Sequence, residues 1–131
     1  MIFNSHPCIS DILESAYSTG NCVFAGDYLY SAVSNTVKKI DLHKNRTSVL
    51  PLQNPHHNAL LVLSPNNTLL MAIDFAGHAT LFNLHGNFVV GEFNFKGPVR
   101  CATFSPDGRL LAIGQNQGFT VYECSGVYRT F

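Results

Sequence analysis

Four histidines fall close together as His56-His57, His78 and His85, and histidine is the side chain best suited to ligate a metal or move protons near neutral pH. Neighbours on an extended strand point to opposite faces, so His56-His57 is a poor chelating pair, and these histidines read as turn and structural hydrogen-bonding residues. Cys8, Cys22, Cys101 and Cys124 stand singly, without the two-residue spacing of a zinc knuckle or a thioredoxin-like site. They read as reduced, largely buried thiols. Serine, histidine and aspartate all occur, yet there is no Gly-x-Ser-x-Gly elbow, no glycine-rich phosphate loop followed by Lys and no paired catalytic carboxylates. Asp27, Asp41, Asp74 and Asp107 each fall at a turn or strand end, where a carboxylate accepts backbone hydrogen bonds. These residues point to binding rather than catalysis: an enzyme is not expected, and no metal, cofactor or small-molecule substrate is assigned.

The residues that suit binding are basic. Lys38, Lys39, Lys44 and Arg46 gather on one outer strand and its following turn, and Lys96 and Arg100 flank a Gly97-Pro98 passage. Lysine on an outer strand protects a sheet edge from unwanted pairing. The same residues are the candidates for contact with RNA or an acidic partner, since rim loops are where a rigid scaffold presents its binding groups. With 8 basic and 8 acidic residues the formal net charge is zero, so the chain lacks the basic excess that drives bulk attraction to nucleic acid or anionic membranes. Any RNA contact is therefore local.

Composition bounds the rest. The chain has 131 residues, 46% hydrophobic and 12% charged, a balance that folds rather than stays disordered. Residues 1–18 carry neither a basic leader nor a continuous apolar block, and Ser64-Pro65-Asn66-Asn67 splits the most apolar region below membrane-spanning length. The sequence reads as soluble and intracellular, with no membrane partner. The triplets Asn45-Arg46-Thr47 and Asn66-Asn67-Thr68 match a glycosylation pattern that stays idle in that setting.

What positions these residues is a repeat. Leu63-Ser64-Pro65-Asn66-Asn67-Thr68-Leu69-Leu70 returns as Phe104-Ser105-Pro106-Asp107-Gly108-Arg109-Leu110-Leu111, at a spacing of about 41 residues, the length of one β-propeller blade. Ile40-Asp41-Leu42, Phe82-Asn83-Leu84 and Tyr122-Glu123-Cys124 keep the same step at the position where WD repeats carry Trp-Asp, although this chain has no Trp. From Asn21 onward short apolar runs alternate with Gly, Pro, Asn, Asp and Ser, which predicts strands and turns.

The expected fold is all-β: an incomplete WD40-type β-propeller of about three four-stranded antiparallel blades. A lead-in over residues 1–18 contains a short helix or turn at Ile9–Tyr17. The blades follow at about 19–55, 56–97 and 98–131. The expected strands are Asn21–Phe24, Tyr28–Ser34, Thr36–Leu42 and Ser48–Leu52, then Ala59–Leu63, Leu69–Ile73, Ala79–Leu84 and Phe88–Phe95, then Arg100–Phe104, Leu110–Ile113, Phe119–Cys124 and Val127–Phe131. Gly77, Gly86, Gly108 and Gly118 are expected to take positive φ at the turns. A closed ring of about seven blades needs on the order of 290 residues, so the ring is expected to be finished by residues outside this chain.

The residues Tyr17, Gly20-Asn21, Phe24, Ser31, Val33, Asn35, Val37 and Asp41-Leu42 resemble the opening blade of the periodic tryptophan protein two family. Thr68-Leu69-Leu70, Ile73-Asp74 and Gly77 resemble its second blade, and Phe93-Asn94-Phe95-Lys96 ahead of the Ser-Pro-Asp-Gly turn resembles its passage into the third. The resemblance implies the N-terminal region of a nucleolar scaffold. Such a scaffold works in the small-subunit processome with other processome proteins, pre-ribosomal RNA and the U3 small nucleolar RNA in pre-18S rRNA processing. Tyr122-Glu123 departs from the Trp-containing pair of the family and removes an indole donor, for which the Tyr122 hydroxyl is a partial substitute. A WD-repeat adaptor of a vesicle coat or a ubiquitin ligase is the alternative reading.

Overall fold

The computed structural model describes residues 18–125 and 127–130, which form twelve strands; the Ile9–Tyr17 helix lies outside the described residues. β1 (Cys22–Ala25), β2 (Tyr28–Val33), β3 (Thr36–Asp41) and β4 (Arg46–Val49) make the first sheet. β5 (Asn58–Leu63), β6 (Leu69–Asp74), β7 (His78–Asn83) and β8 (Phe88–Asn94) make the second, and β9 (Cys101–Phe104), β10 (Leu110–Gln115), β11 (Gly118–Ser125) and β12 (Val127–Thr130) the third. Each is an antiparallel meander paired in chain order, and the described residues contain no helix. The β1, β5 and β9 strands approach one another in succession, as the inner strands of propeller blades do.

The repeated turn folds the same way twice. Ser64 Oγ donates to Asn66 Oδ1 at 2.7 Å and accepts the Leu69 N–H at 3.0 Å; Ser105 Oγ donates to Asp107 Oδ1 at 2.7 Å and accepts the Leu110 N–H at 3.0 Å. The next residue bends left-handed in both, Asn67 at φ 60° and Gly108 at φ 73°. Both residue types tolerate that region.

The second sheet is buried on both faces. Leu61, Leu70, Ala72 and Phe82 pack towards the first sheet against Tyr30, Ala32 and Val37. Val62, Met71, Ile73 and Leu81 pack towards the third against Phe104, Leu111 and Ile113. Period-two alternation puts these sets on opposite faces, and apolar residues at both parities make β6 apolar from Leu69 to Ile73.

Three expectations change. The fourth strand of the first sheet is Arg46–Val49 rather than Ser48–Leu52, because Leu50 and Leu52, each 5% exposed, turn into the core between sheets. The Leu50 N–H then bonds the Val37 carbonyl at 2.9 Å and the Leu52 N–H bonds the Leu50 carbonyl at 2.8 Å. Gly86 takes no positive φ; Asn87, at φ 60°, makes that bend. The thiols are free but not largely buried: Cys22 and Cys101 are exposed and Cys124 is half-buried, while Cys8 lies outside the described residues. Cys22 and Cys101 sit at alternate positions to Val23 and Ala102, which pack on the core, so their side chains face away from the second sheet.

Candidate functional site

Blade joints are held by buried polar side chains. Asn54, in the passage between the first two sheets, donates from Nδ2 to Asn58 Oδ1 at 2.5 Å and to the Ala72 carbonyl at 3.0 Å, and accepts the Thr80 hydroxyl at 2.6 Å. Asn58 Nδ2 donates to the Thr36 carbonyl at 3.0 Å, so the network reaches the first sheet. A buried amide without such partners would be costly. At the next passage Gln115 Nε2 donates to the carbonyls of Phe95 at 3.0 Å and Gly97 at 3.2 Å. A Cβ at Gly77, where φ is +94°, would collide with the Gly97 carbonyl, so only glycine fits that approach.

His56 and His78 serve the first of these joints. Asp74 accepts the backbone N–H groups of Ala76 (3.0 Å), His78 (2.9 Å) and His56 (3.2 Å), and the His56 and His78 rings lie 5.9 Å apart. Among the described residues no three His, Cys, Asp or Glu side chains gather in a metal-holding arrangement. Asp41 accepts the N–H groups of His43 and Lys44, and Asp107 that of Arg109. Asp27 departs from the pattern, its carboxylate instead lying 3.7 Å from His43 Nε2. Tyr122 packs its ring at 5.5 Å from Phe95, and its hydroxyl bonds none of the described residues. It is a core residue rather than a substitute donor.

The six basic candidates do not form one patch. Lys38 pairs across the sheet with Ser31 and Val49, on the face turned away from the second sheet. Lys39 pairs with Tyr30 and Ser48 on the other face, and its Nζ sits 4.2 Å from the Tyr28 ring centroid, a cation–π contact. Lys44 and Arg46 are exposed at the β3–β4 turn, where Arg46 pairs in register with Asp41. Lys96 and Arg100 belong to the β8–β9 passage on the opposite rim, where Arg100 Nε donates to Asn116 Oδ1 at 2.8 Å.

A cleft of about 370 Å³ opens between the first two sheets on the rim that carries the β1–β2, β5–β6 and β7–β8 turns. Tyr28, Tyr30, Lys39, Asn66, Asn67 and His85 are among its lining residues. Burial, and then the neighbouring Tyr28, push the Tyr30 phenol above its ordinary value of 10.0, so it stays a donor at neutral pH. Neither the cleft nor the Asn54–Asn58–Thr80 network was anticipated from sequence. Asn is common in turns, and its type alone does not tell a turn residue from a buried bridge.

The geometry is that of adjacent propeller blades whose surfaces differ from rim to rim. The chain superposes on the Cps50 (Swd1) β-propeller domain of Myceliophteria thermophila with a TM-score of 0.74, over 87% of this chain and 38% of that one, at 21% identity. That likeness establishes a WD40-type propeller fold. No family model matches the chain. Curated sequences do: the periodic tryptophan protein 2 homologue of Mus musculus is 35% identical over 124 residues, 93% of this chain. The chain is a sequence relative of periodic tryptophan protein 2. The Neurospora crassa homologue is 35% identical over 115 residues and the Saccharomyces cerevisiae protein 33% identical over 120. The chain spans only 13–14% of the length of these relatives of periodic tryptophan protein 2.

Proposed function

We propose that the chain is part of a non-enzymatic propeller scaffold in ribosome biogenesis. In this reading it is the N-terminal region of a nucleolar protein that assembles the small-subunit processome and supports pre-18S rRNA processing with the U3 small nucleolar ribonucleoprotein. The observation that carries the reading is the match to periodic tryptophan protein 2 relatives over all three sheets, 93% of the chain in the mouse case. The mechanism is geometric. Sheets bolted together by Asn54, Asn58 and Gln115 hold rim groups at fixed spacing, and partners dock on those groups. Other processome proteins are the direct partners. Pre-ribosomal RNA meets the exposed charges of Lys44, Arg46, Lys96 and Arg100.

Affinity purification of the intact protein tests this reading. Recovery of small-subunit precursor proteins together with U3 small nucleolar RNA is expected. Recovery of vesicle-coat or ubiquitin-ligase subunits in their place would reject it.

A further inference from the structure

The cleft between the first two sheets gathers several hydrogen-bond donors, Tyr28, Tyr30, Lys39 and Asn66 among them, beside apolar wall residues such as Ala25 and Leu84. Tyr30 is 2% exposed as a residue, but its hydroxyl is not among the fully buried atoms and has no hydrogen-bond partner among the described residues, so it opens on the cleft. Lys39 reaches the same cleft, where its ammonium rests over the Tyr28 ring without an ion pair among the described residues. Asn66 spends its Oδ1 on the Ser64 hydroxyl and the Thr68 N–H, which leaves its amide N–H groups to the solvent side, and Asn67 and His85 stand beside it. Asp27 is the one acid on the wall. A volume of about 370 Å³ lies within the range of about 300–1,000 Å³ for pockets that hold a defined ligand group.

Such a lining selects an anion. One ammonium among neutral donors, with the Asp27 carboxylate lying towards His43 Nε2 at 3.7 Å, suits a single carboxylate, whereas an RNA strand gains its affinity from several cations placed along its phosphates. The net charge of zero and the scattering of the other basic residues over two rims point the same way. We propose that this cleft binds an acidic segment of a partner protein and seats a Glu or Asp carboxylate against Lys39 and the tyrosine hydroxyls. The proposal rests on the scaffold reading only in taking the occupant to be a protein. It is tested with purified components and so fails separately from any role in rRNA processing.

Fluorescence anisotropy of fluorescein-labelled poly-glutamate with the intact protein, at low ionic strength, is the test. Saturable binding is expected, weakened about tenfold by Lys39→Gln, as loss of a charge-assisted hydrogen bond implies. Tyr30→Phe keeps the buried ring and the fold, and is expected to weaken binding about threefold or more. Lys39→Arg should keep binding within about threefold, because the charge is retained. No saturable binding, or binding indifferent to both Lys39→Gln and Tyr30→Phe, would overturn the proposal. So would labelled oligouridylate that binds more tightly than poly-glutamate and depends on Lys39, since the occupant would then be RNA.

Discussion

Asn21 and Leu61 are joined by two hydrogen bonds across the joint between the first two sheets. Asn21 Oδ1 accepts the Leu61 N–H at 2.6 Å, and Asn21 Nδ2 donates to the Leu61 carbonyl at 3.0 Å. A side-chain amide here stands in for a neighbouring strand, satisfying both backbone groups of one residue on β5, the inner strand of the second sheet. Asn21→Ala strips Leu61 of both partners and should lower stability by roughly 1–3 kcal/mol. The check is the urea midpoint together with amide exchange at Leu61, which should quicken; an unmoved midpoint would mean that water replaces the amide at no cost.

The buried network around Asn54 gives a sharper contrast. Thr80→Val keeps the shape of the side chain but removes the hydroxyl bonded to Asn54 Oδ1, and should destabilise by roughly 1–3 kcal/mol. Thr80→Ser keeps the hydroxyl and should fall well short of that loss. Thermal melts of the two variants decide: equal losses would show that packing, not the hydrogen bond, matters at this position.

Asp107 gives the third sheet an acid-sensitive turn. The Ser105 hydroxyl first, and the Arg109 N–H after it, hold this carboxyl below its ordinary value of 3.8. A carboxylate with a lowered folded value stabilises the fold above its unfolded value, and that contribution is lost as pH falls through the lowered one. Melting temperatures followed from about pH 5 down to about pH 2 should show a shallower acid decline for Asp107→Asn. At neutral pH that variant should fold like the parent, because Asn66 already makes the same turn in the second sheet. An acid decline identical to that of the parent would remove Asp107 from the account.

Both end sheets present apolar side chains to solvent. Phe24 is 66% exposed on the first sheet and Phe119 is 81% exposed on the third. Faces of this kind associate. In sedimentation velocity the 131-residue chain should self-associate, and the double variant Phe24→Ser, Phe119→Ser should shift the distribution towards monomer. A monodisperse parent that melts cooperatively would oppose this.

Much of the architecture was legible because the repeat carries its own turn chemistry. Ser-Pro-Asn-Asn-Thr and Ser-Pro-Asp-Gly-Arg fix where two hairpins bend, and that sets the face on which Leu61, Leu70 and Leu111 lie. The end of β4 was not legible, since Val49-Leu50-Pro51-Leu52 continues the apolar run of the strand, yet Leu50 and Leu52 are drawn into the core. Cysteine burial failed for a related reason: residue type suggests an interior position, but parity on β1 and β9 turns Cys22 and Cys101 outward. Lys38, Lys39, Lys44 and Arg46 read as one cluster because they are near in sequence. Strand parity sends Lys38 and Lys39 to opposite faces. The cleft joins Tyr28 and Lys39 to Asn66 and His85, and no local pattern announces a pairing between sheets.

The central claim is that the intact protein is a scaffold required for small-subunit rRNA maturation. Its most direct test is Northern analysis of rRNA precursors after complete depletion of the intact protein. The account predicts that unprocessed small-subunit precursors accumulate and that re-expression of the intact protein clears them. Normal precursor processing after complete depletion would contradict it.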